Sequence, residues 1–257
     1  MCLILFAWRA HPRYELVLAA NRDEFHDRAA APAAFWPDQP EVLAGRDLEA
    51  GGAWLGITRK GRFAAVTNYR EAARPAAGGG RSRGLLVSEA LNTRKRPHEL
   101  ARALAVTGSD YHGFNLLLGR PGELVYLSNR GAKPHAVAAG MHGLSNHLLD
   151  TDWPKVAAGR DRLAALLSVD DIDTEALFGL LADTRPVGGK LPDGAAARLA
   201  PESLARQLFI RSPVYGTRCS TVLLLDCAGG VRFEERRFDQ DGRPAGTARF
   251  TFPLDPT

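Results

Sequence analysis

The sequence has few cysteines and no long hydrophobic run, and both absences narrow the class of protein. Its 257 residues include only three cysteines, Cys2, Cys219 and Cys227, and no C-x-x-C pair. Three thiols cannot form a complete disulfide framework, and paired-cysteine zinc or redox sites are excluded. No apolar run approaches the roughly 18 residues of a membrane helix, and the start MCLILFAW lacks the basic leader of a signal peptide. We therefore predict a cytoplasmic protein without membrane insertion.

The sequence also lacks a block of one charge and any metal-binding motif. The net charge of +4 and the pI near 9.1 come from arginines scattered along the chain. This distribution does not favour nucleic acid and fits a small anionic ligand better. No H-E-x-x-H occurs, and His142 and His147 do not have the i, i+4 spacing of a helical zinc site. We predict no metal site and no required cofactor.

Hydrophobic patterning predicts an α+β protein. Residues 3–9 and 14–20 form an expected hairpin whose second strand ends at Asn21, and further hairpins are expected over 53–69 and around Gly229-Gly230. Two helical patterns separate the sheet-forming regions, without a regular βαβ alternation. This order favours antiparallel sheets with segregated helical layers. The ordinary composition, 45% hydrophobic and 24% charged, predicts one domain over residues 1–257.

Cys2 is the first residue whose chemistry is open to two interpretations. Removal of Met1, which a small second residue permits, would leave Cys2 with both a thiol and a free α-amine. That amine has an ordinary pKa of about 7.7 to 8.0, close to the thiol's value of about 8.5, so nucleophile and base would share one residue. The alternative is that Cys2 is a small buried hydrophobe that opens a core strand, as free cysteines often are. Cys219 and Cys227, on an expected strand and at its exit, are predicted to be core residues.

The tetrad Asn21-Arg22-Asp23-Glu24 follows the partner strand and brings charge beside Cys2. Asp23 is expected to hold the α-ammonium, and Arg22 to lower the thiol pKa. Alternation along an extended segment would place Asp23 on the face of Cys2 and turn Glu24 away. The alternative is a surface turn with an internal ion pair.

Several segments together resemble the NRDE family, also called the transport and Golgi organisation protein 2 family. They cover Met1 to about Asp226: MCLILFAW, LAANRDEF, AGRDLEAGGAWLGI, FAAVTNYRE, GFNLLLG, GLSNHLLDTDWPKV and YGTRCSTVLLL. That family is similar in turn to N-terminal-nucleophile hydrolases of the choloylglycine hydrolase and penicillin acylase type. The resemblance implies their four-layer αββα sandwich, two antiparallel sheets between helical layers.

The resemblance also implies roles for individual residues. It makes Cys2 the nucleophile and Asp23 the partner of its amino group. Asn68 in VTNY and Asn146 in LSNH resemble the two asparagines that border the oxyanion region, although either can instead be a strand-end cap. Arg218 in GTRCST resembles the late arginine near the nucleophile.

Three further residues are expected to bind substrate. Asn21 and Arg22 belong to the tetrad itself, where the hydrolases place an arginine before an asparagine; here Ala20 precedes Asn21 and the arginine follows it. Trp153 lies close enough in sequence to Asn146 to line a pocket.

Two classes of function follow from this pattern. The first is an N-terminal-nucleophile hydrolase or acyl-transfer enzyme that uses Cys2 on an amide or thioester. The second is a binding protein of the same fold without turnover, because members of the family are linked to haem trafficking and to acyl-CoA or lipid handling. A cysteine thiolate or a histidine can ligate haem iron, and without C-x-x-C-H such binding would be non-covalent. The expected partner is thus a small molecule: an acyl amide, a thioester or haem.

Overall fold

The computed structural model describes residues 2–70, 80–131, 133–191 and 202–256. Its strands, in chain order, are β1 Cys2–Trp8, β2 Tyr14–Phe25, β3 Ala30–Trp36, β4 Gln39–Asp47, β5 Leu55–Thr58, β6 Phe63–Asn68, β7 Phe114–Arg120, β8 Glu123–Ser128, β9 His135–Ala136, β10 Gly140–Leu144, β11 Tyr215–Asp226, β12 Gly230–Phe238 and β13 Pro244–Pro253. Its helices are α1 Arg83–Asn92, α2 Pro97–Thr107, α3 Pro154–Leu166, α4 Thr174–Leu181 and α5 Glu202–Ala205.

The chain divides into two compact units. The first unit takes its described residues from the ranges Met1–Asp27, Arg70–Ala72 and Ala138–Phe252. The second takes them from Arg28–Tyr69, Ala73–Val137 and Pro253–Thr257. Each unit contains its own sheet, its own helices and its own hydrophobic core cluster.

The first unit is built on a six-stranded sheet in the order β10-β1-β2-β11-β12-β13. Every residue of β1 is buried, which is why its sequence is a continuous apolar run rather than an alternating one. Helix α3 packs on β1 and β10, and α4 packs on β2 and β11. Leu3, Leu5 and Ala7 join the helices in one core cluster, so the odd-numbered side of β1 faces the helical layer.

The second unit is a seven-stranded sheet in which consecutive strands are neighbours, from β3 to β9. The hairpin that joins β5 to β6 turns through Gly61, whose φ of 74° favours glycine. Helices α1 and α2 pack on this sheet, and Pro97 begins α2 as expected of a proline at the first helical position.

The predicted α+β class is confirmed: two antiparallel sheets are each accompanied by helices. The prediction that the second strand ends at Asn21 is wrong, because β2 continues to Phe25, with β11 paired along its full length. Strands β3, β4 and β13 were not predicted, since segments such as AAPAAFW lack a period of two. The prediction of a single domain stays a prediction.

Candidate functional site

Cys2 is the first residue of β1 and contacts the neighbouring chain segments on both sides of that strand. It lies opposite Arg22 of β2, and its backbone carbonyl accepts a hydrogen bond of 2.7 Å from Ser145 Oγ. Only 8% of the residue is exposed. Burial raises the pKa of the thiol above its ordinary value, while the Asp23 backbone N–H and the Arg22 guanidinium act in the opposite direction. A thiol in this position needs a base before it can act as a nucleophile.

Asp23 is a buried, anchored carboxylate one residue beyond the partner of Cys2. Its Oδ1 accepts a hydrogen bond of 2.7 Å from Thr217 Oγ1, which itself accepts the Ile210 backbone N–H at 2.9 Å. Tyr215 Oη donates to the Asp23 carbonyl at 2.9 Å. Burial raises the pKa of the carboxyl, whereas the charge of the chain's α-amino group, the Lys155 charge and the Thr217 hydrogen bond lower it. The carboxylate is fixed in place by the neighbouring strand β11.

The expectation that Asp23 shares a face with Cys2 is wrong. The register pairs Cys2 with Arg22, so these two side chains lie on one face and Asp23 lies on the other, the helical side that Asn21 occupies. A backbone nitrogen lies near the plane of the sheet rather than on either face. The Asp23 carboxylate and the Cys2 thiol therefore lie on opposite faces of the sheet, although the charge of Asp23 still raises the pKa of that thiol.

Asn146 lies beside Cys2 at the end of β10. Leu144 of β10 pairs with Ile4, so the chain continues past Cys2 through Ser145 and Asn146. The Ser145 hydroxyl lies 2.7 Å from the Cys2 carbonyl and 3.2 Å from Asn146 Oδ1. Asn146 is 2% exposed, and its backbone carbonyl accepts the Arg70 N–H at 2.8 Å. These contacts fix both the backbone and the amide of Asn146.

Lys155 is the residue that the sequence reasoning missed. It lies in the first turn of α3, is fully buried, and its Nζ has no hydrogen-bond partner in the part of the chain that the structure describes. Burial lowers the pKa of the ammonium, and the charges of Asp23 and Cys2 raise it. A signal was present: Lys155, Gly159 and Leu163 have the i, i+4, i+8 spacing of a buried helical stripe.

Asn21 and Trp153 have structural roles rather than the substrate-binding roles predicted for them. Asn21 is completely buried; its Nδ2 donates to the carbonyls of Leu181 and Leu208, and its Oδ1 accepts from Ser220. Both ends of the amide thus tie β2 to neighbouring segments. Trp153 is 1% exposed within the core cluster, and its indole N–H donates to the Ala205 carbonyl at 2.8 Å.

Arg22 is buried between two cysteines. It pairs with Cys2 on one side and with Cys219 on the other, and its guanidinium lies 3.8 Å from the Glu24 carboxylate. Burial raises the pKa of the Cys219 thiol well above its ordinary value, and Glu235 adds to the effect. Arg22 acts against both shifts. Cys219 is buried as predicted, whereas the prediction of a core Cys227 is wrong, because that residue is exposed.

Arg218 and Asn68 lie at strand irregularities and strand ends. Arg218 interrupts the pairing of β11 with β2, and its Nη1 donates to the carbonyls of Phe25 and His26 at 2.8 and 3.0 Å. The guanidinium thus anchors the end of β2. Asn68 ends β6 in the second unit, opposite Phe114. Their predicted catalytic roles stay predictions.

The described residues lack two features, a metal-type cluster of side chains and a helix suited to a membrane. Within residues 2–70, 80–131, 133–191 and 202–256, no group of three or more His, Cys, Asp or Glu side chains is arranged to hold a metal ion. None of the helices described there has the length and apolar character needed to cross a bilayer.

Two solved structures are similar to this chain at low sequence identity. The Caenorhabditis elegans ortholog of N-acylethanolamine-hydrolyzing acid amidase has a TM-score of 0.49 at 10% identity, over 87% of this chain and 92% of that chain. A mutant of the conjugated bile acid hydrolase from Clostridium perfringens has a TM-score of 0.44 at 11% identity, over 99% of this chain and 97% of that chain.

The sequence relatives are closer and span the chain. The Bos taurus Transport and Golgi organization protein 2 homolog is 38% identical over 92% of this chain and 92% of its own length. The Homo sapiens homolog is 35% identical over 99% of each chain, and the Drosophila melanogaster protein is 28% identical over 91% of each. A family model described as Transport and Golgi organisation 2 matches residues 1–240. The chain therefore belongs to the Transport and Golgi organisation 2 family.

Proposed function

We propose that this protein is an N-terminal-nucleophile enzyme that transfers or hydrolyses an acyl group from an amide or thioester through Cys2. The observation that carries the proposal is the pairing of Cys2, at the start of a buried strand, with the neighbouring segment that contains Asp23. In this proposal the buried Asp23 carboxylate, anchored by the Thr217 hydroxyl, orients an amine at the Cys2 nitrogen toward the thiol. The chemistry requires removal of Met1, which turns that nitrogen into an α-amine.

The reaction begins with transfer of the thiol proton to the α-amine of Cys2. The thiolate sulfur adds to the substrate carbonyl carbon, and the oxyanion collapses as the amine or thiol leaving group departs with the proton from the ammonium. Water then adds to the resulting thioester while the α-amine accepts its proton. The acid leaves, and the Cys2 sulfur recovers the proton. In an acyl transfer, an acceptor amine or alcohol replaces the water.

Asn146 supports the proposal as a donor to the oxyanion. Ser145 donates its hydroxyl proton to the Cys2 carbonyl, and the same hydroxyl lies 3.2 Å from Asn146 Oδ1, which keeps the Asn146 amide next to the proposed nucleophile. A preorganised amide N–H near a developing oxyanion contributes about 3 to 4 kcal/mol to transition-state stabilisation. Asn68 is the second donor that the family resemblance implies, and Arg218 the late arginine. A reducing compartment, the cytoplasm, suits a nucleophilic thiol and three free cysteines.

The first experiment measures the intact mass of the purified protein and its turnover of a panel of amides and thioesters. We expect loss of Met1, and a loss of turnover of at least about a thousandfold in Cys2→Ala, because the substitution removes the nucleophile. Cys227→Ala is the matched control, since Cys227 is exposed, and it should behave as wild type.

The same preparation is titrated with haem to test the binding alternative. A Soret band together with no turnover of any substrate in the panel would favour a haem-handling protein over the enzyme. Turnover that survives Cys2→Ala would reject Cys2 as the nucleophile.

A further inference from the structure

Lys155 is a buried charge that the proposed reaction does not use. Its side chain is completely inaccessible, and its ammonium has no hydrogen-bond partner within the ranges that the structure covers. The Trp153 ring lies 5.4 Å from Nζ, a distance at which an aromatic face stabilises a cation. A buried ammonium normally needs a carboxylate nearby, because desolvation otherwise drives it to the neutral form.

The carboxylate that acts on Lys155 is Asp23. Asp23 raises the pKa of Lys155 against the effect of burial, and Lys155 lowers the pKa of Asp23 in the same way. Cys2 is coupled to the lysine too, since a thiolate there favours the ammonium. Helix α3 packs on β1 and β10, which positions its first turn on the side of the sheet that Asp23 faces.

Other charged groups act on the three residues from the surrounding elements. The chain's α-amino group acts on both Cys2 and Asp23, Arg22 acts on Cys2, Glu24 acts on Asp23, and Arg70 opposes the charge of Lys155. Further away, Glu235 acts on Cys219, whose thiol is coupled to Cys2. Asp23 is the carboxylate coupled to both Cys2 and Lys155.

We propose that Lys155 is a positioning residue that supplies the positive charge opposite Asp23, so that the α-amine of Cys2 stays neutral and accepts the thiol proton. The inference rests on the proposed function, because it assigns a role in activating that nucleophile. It resolves a conflict in the site: a carboxylate alone would favour the protonated amine, which cannot act as a base.

The proton distribution follows from the intrinsic basicity of the two amines. A lysine side chain, with an ordinary pKa of about 10.4, is more basic than an α-amine, with one of about 7.7 to 8.0. Burial lowers the pKa of Lys155, but the charges of Asp23 and Cys2 act in the opposite direction and favour its ammonium. One buried carboxylate stabilises one cation well and a second poorly, since the two cations repel each other. The nearby ammonium also lowers the basicity of the α-amine, as one amine does to another in enzymes with activated lysines.

The experiment compares Lys155→Met, Lys155→Arg and the control Lys190→Met, whose lysine is exposed. Cysteine labelled with carbon-13 at Cβ gives a signal for Cys2, identified by its loss in Cys2→Ala, and the signal is followed across pH. Removal of a cation raises the pKa values of amine and thiol alike, so Lys155→Met should raise the apparent midpoint by at least about one unit. Lys155→Arg should restore the midpoint to within about 0.3 units, and Lys190→Met should leave it unchanged.

A folded Lys155→Met protein with an unchanged midpoint would overturn the inference, as would a retained Met1. If Lys155→Met does not fold, the reciprocal measurement uses the Asp23→Asn variant with its lysines labelled with carbon-13 at Cε, and follows the titration of Lys155. The apparent pKa of Lys155 should then fall by at least about one unit, because its carboxylate partner is lost. An unchanged Lys155 pKa would contradict the pairing.

The titration separates this inference from the proposed function. A shifted midpoint in a processed protein that turns over no substrate would leave the role of Lys155 intact and reject the enzyme. Turnover with an unshifted midpoint would do the reverse. Where turnover exists, Lys155→Met should shift the acid limb of the pH profile of kcat/KM to higher pH, by the same number of units as the titration midpoint. The value of kcat/KM on the alkaline plateau should not change. A purely structural role would lower the plateau.

Discussion

The two units of the molecule bury polar groups in different ways. In the second unit, Thr67, Asn115 and Tyr126 are at most 5% exposed and are neutral; Asn115 Nδ2 donates to Thr67 Oγ1 at 3.1 Å, and Tyr126 Oη donates to Asn115 Oδ1 at 2.7 Å. The first unit also buries neutral, hydrogen-bonded groups such as Asn21, but in addition it buries the ionisable side chains of Asp23 and Lys155, and the Lys155 ammonium makes no hydrogen bond in the described chain.

Under the proposed function, the neutral network stabilises the fold, whereas the buried charges near Cys2 serve its chemistry. Neutral groups that satisfy one another rigidify a sheet at little electrostatic cost. Charges buried with incomplete hydrogen bonding destabilise the folded state and cluster at functional sites, where shifted pKa values are needed. We therefore expect substitutions in the neutral network to change stability and substitutions around Cys2 to change reactivity.

Among the substitutions that compare the two units, the largest effect is expected for Asn146→Ala. Loss of the amide should reduce turnover by at least about a hundredfold, which corresponds to about 2.7 kcal/mol of transition-state stabilisation. The backbone contact with Arg70 is retained in alanine, so the melting temperature should change little. The measurement is kcat/KM on the substrate identified by the panel, with Asn115→Ala as the control from the other unit. Equal losses in both variants would remove the distinction between the two networks.

A smaller effect, on stability instead of turnover, is expected for Asn115→Ala. The substitution leaves the buried Thr67 and Tyr126 hydroxyls without their amide partner, at a cost of about 2 kcal/mol in the free energy of unfolding. Denaturant unfolding followed by circular dichroism measures this cost. The Cys2 alkylation rate of the folded variant should match wild type, and a slowed rate would show that this network also supports the nucleophile.

Asp23→Asn should lower the reactivity of Cys2 at neutral pH by at least about tenfold, equivalent to roughly 1.4 kcal/mol. Asparagine Oδ1 can still accept the Thr217 hydroxyl, so the fold should persist while the charge that organises the amines is lost. The measurement is a pH profile of iodoacetamide labelling, located by mass spectrometry in a Cys227→Ser background, because the exposed Cys227 would otherwise react first.

Glu24→Gln is the matched control for Asp23→Asn. Glu24 is partly exposed, and its carboxylate lies 3.8 Å from the Arg22 guanidinium, so its loss should change the profile less. A folded Asp23→Asn protein with the wild-type profile would leave the tetrad as a structural element and Cys2 without an electrostatic partner.

The smallest effect concerns the pH dependence of stability in the first unit. Burial lowers the pKa of His142, but its hydrogen bonds to Asp150, 2.7 Å, and to the Ala138 carbonyl, 2.9 Å, outweigh burial and raise it overall. A raised folded-state pKa stabilises the protein fully below the unfolded value of about 6.5, and this contribution is lost as pH rises through the folded value.

Replacement of His142 by glutamine should remove this dependence. We expect the variant to be less stable than wild type at pH 5.5, by less than about 1 kcal/mol because the pair is partly solvated, and the difference should shrink by pH 8.5. Thermal unfolding at both pH values measures it. A difference that grows with pH would have the wrong sign for a histidine stabilised in its charged form.

The sequence predicted those parts of the site that depend on local pairing. A hairpin brings Cys2 beside the tetrad because β1 and β2 are consecutive and their apolar runs define both strands. The family resemblance added Asn146, and the structure places this residue, just after β10, beside the first residue of β1. The hairpin of β5 and β6 was likewise predictable from alternation around a glycine turn.

The remaining contacts of the site join distant parts of the chain. Ser145 contacts the Cys2 carbonyl across 143 residues, and Thr217 contacts Asp23 across 194. In the sequence alone, Lys155 resembles an ordinary surface lysine of a helix. It is buried because α3 packs on β1 and β10 with the face that carries Lys155 turned toward the sheet. Asn21 was expected to bind substrate because it lies near Cys2 in the predicted hairpin. In the structure its amide instead donates to the carbonyls of Leu181 and Leu208 and links distant segments of the fold.

The sequence by itself determined the family, the α+β class and the adjacency of Cys2 to the tetrad, because these depend on residue identity and on contacts between consecutive strands. Only the tertiary structure decided which face of β2 Asp23 occupies, which asparagine is committed to the fold, and that a lysine is buried near the carboxylate. The physical reason is that burial and electrostatic coupling are set by the packing of remote segments, and a local pattern carries no information about the groups that will surround it.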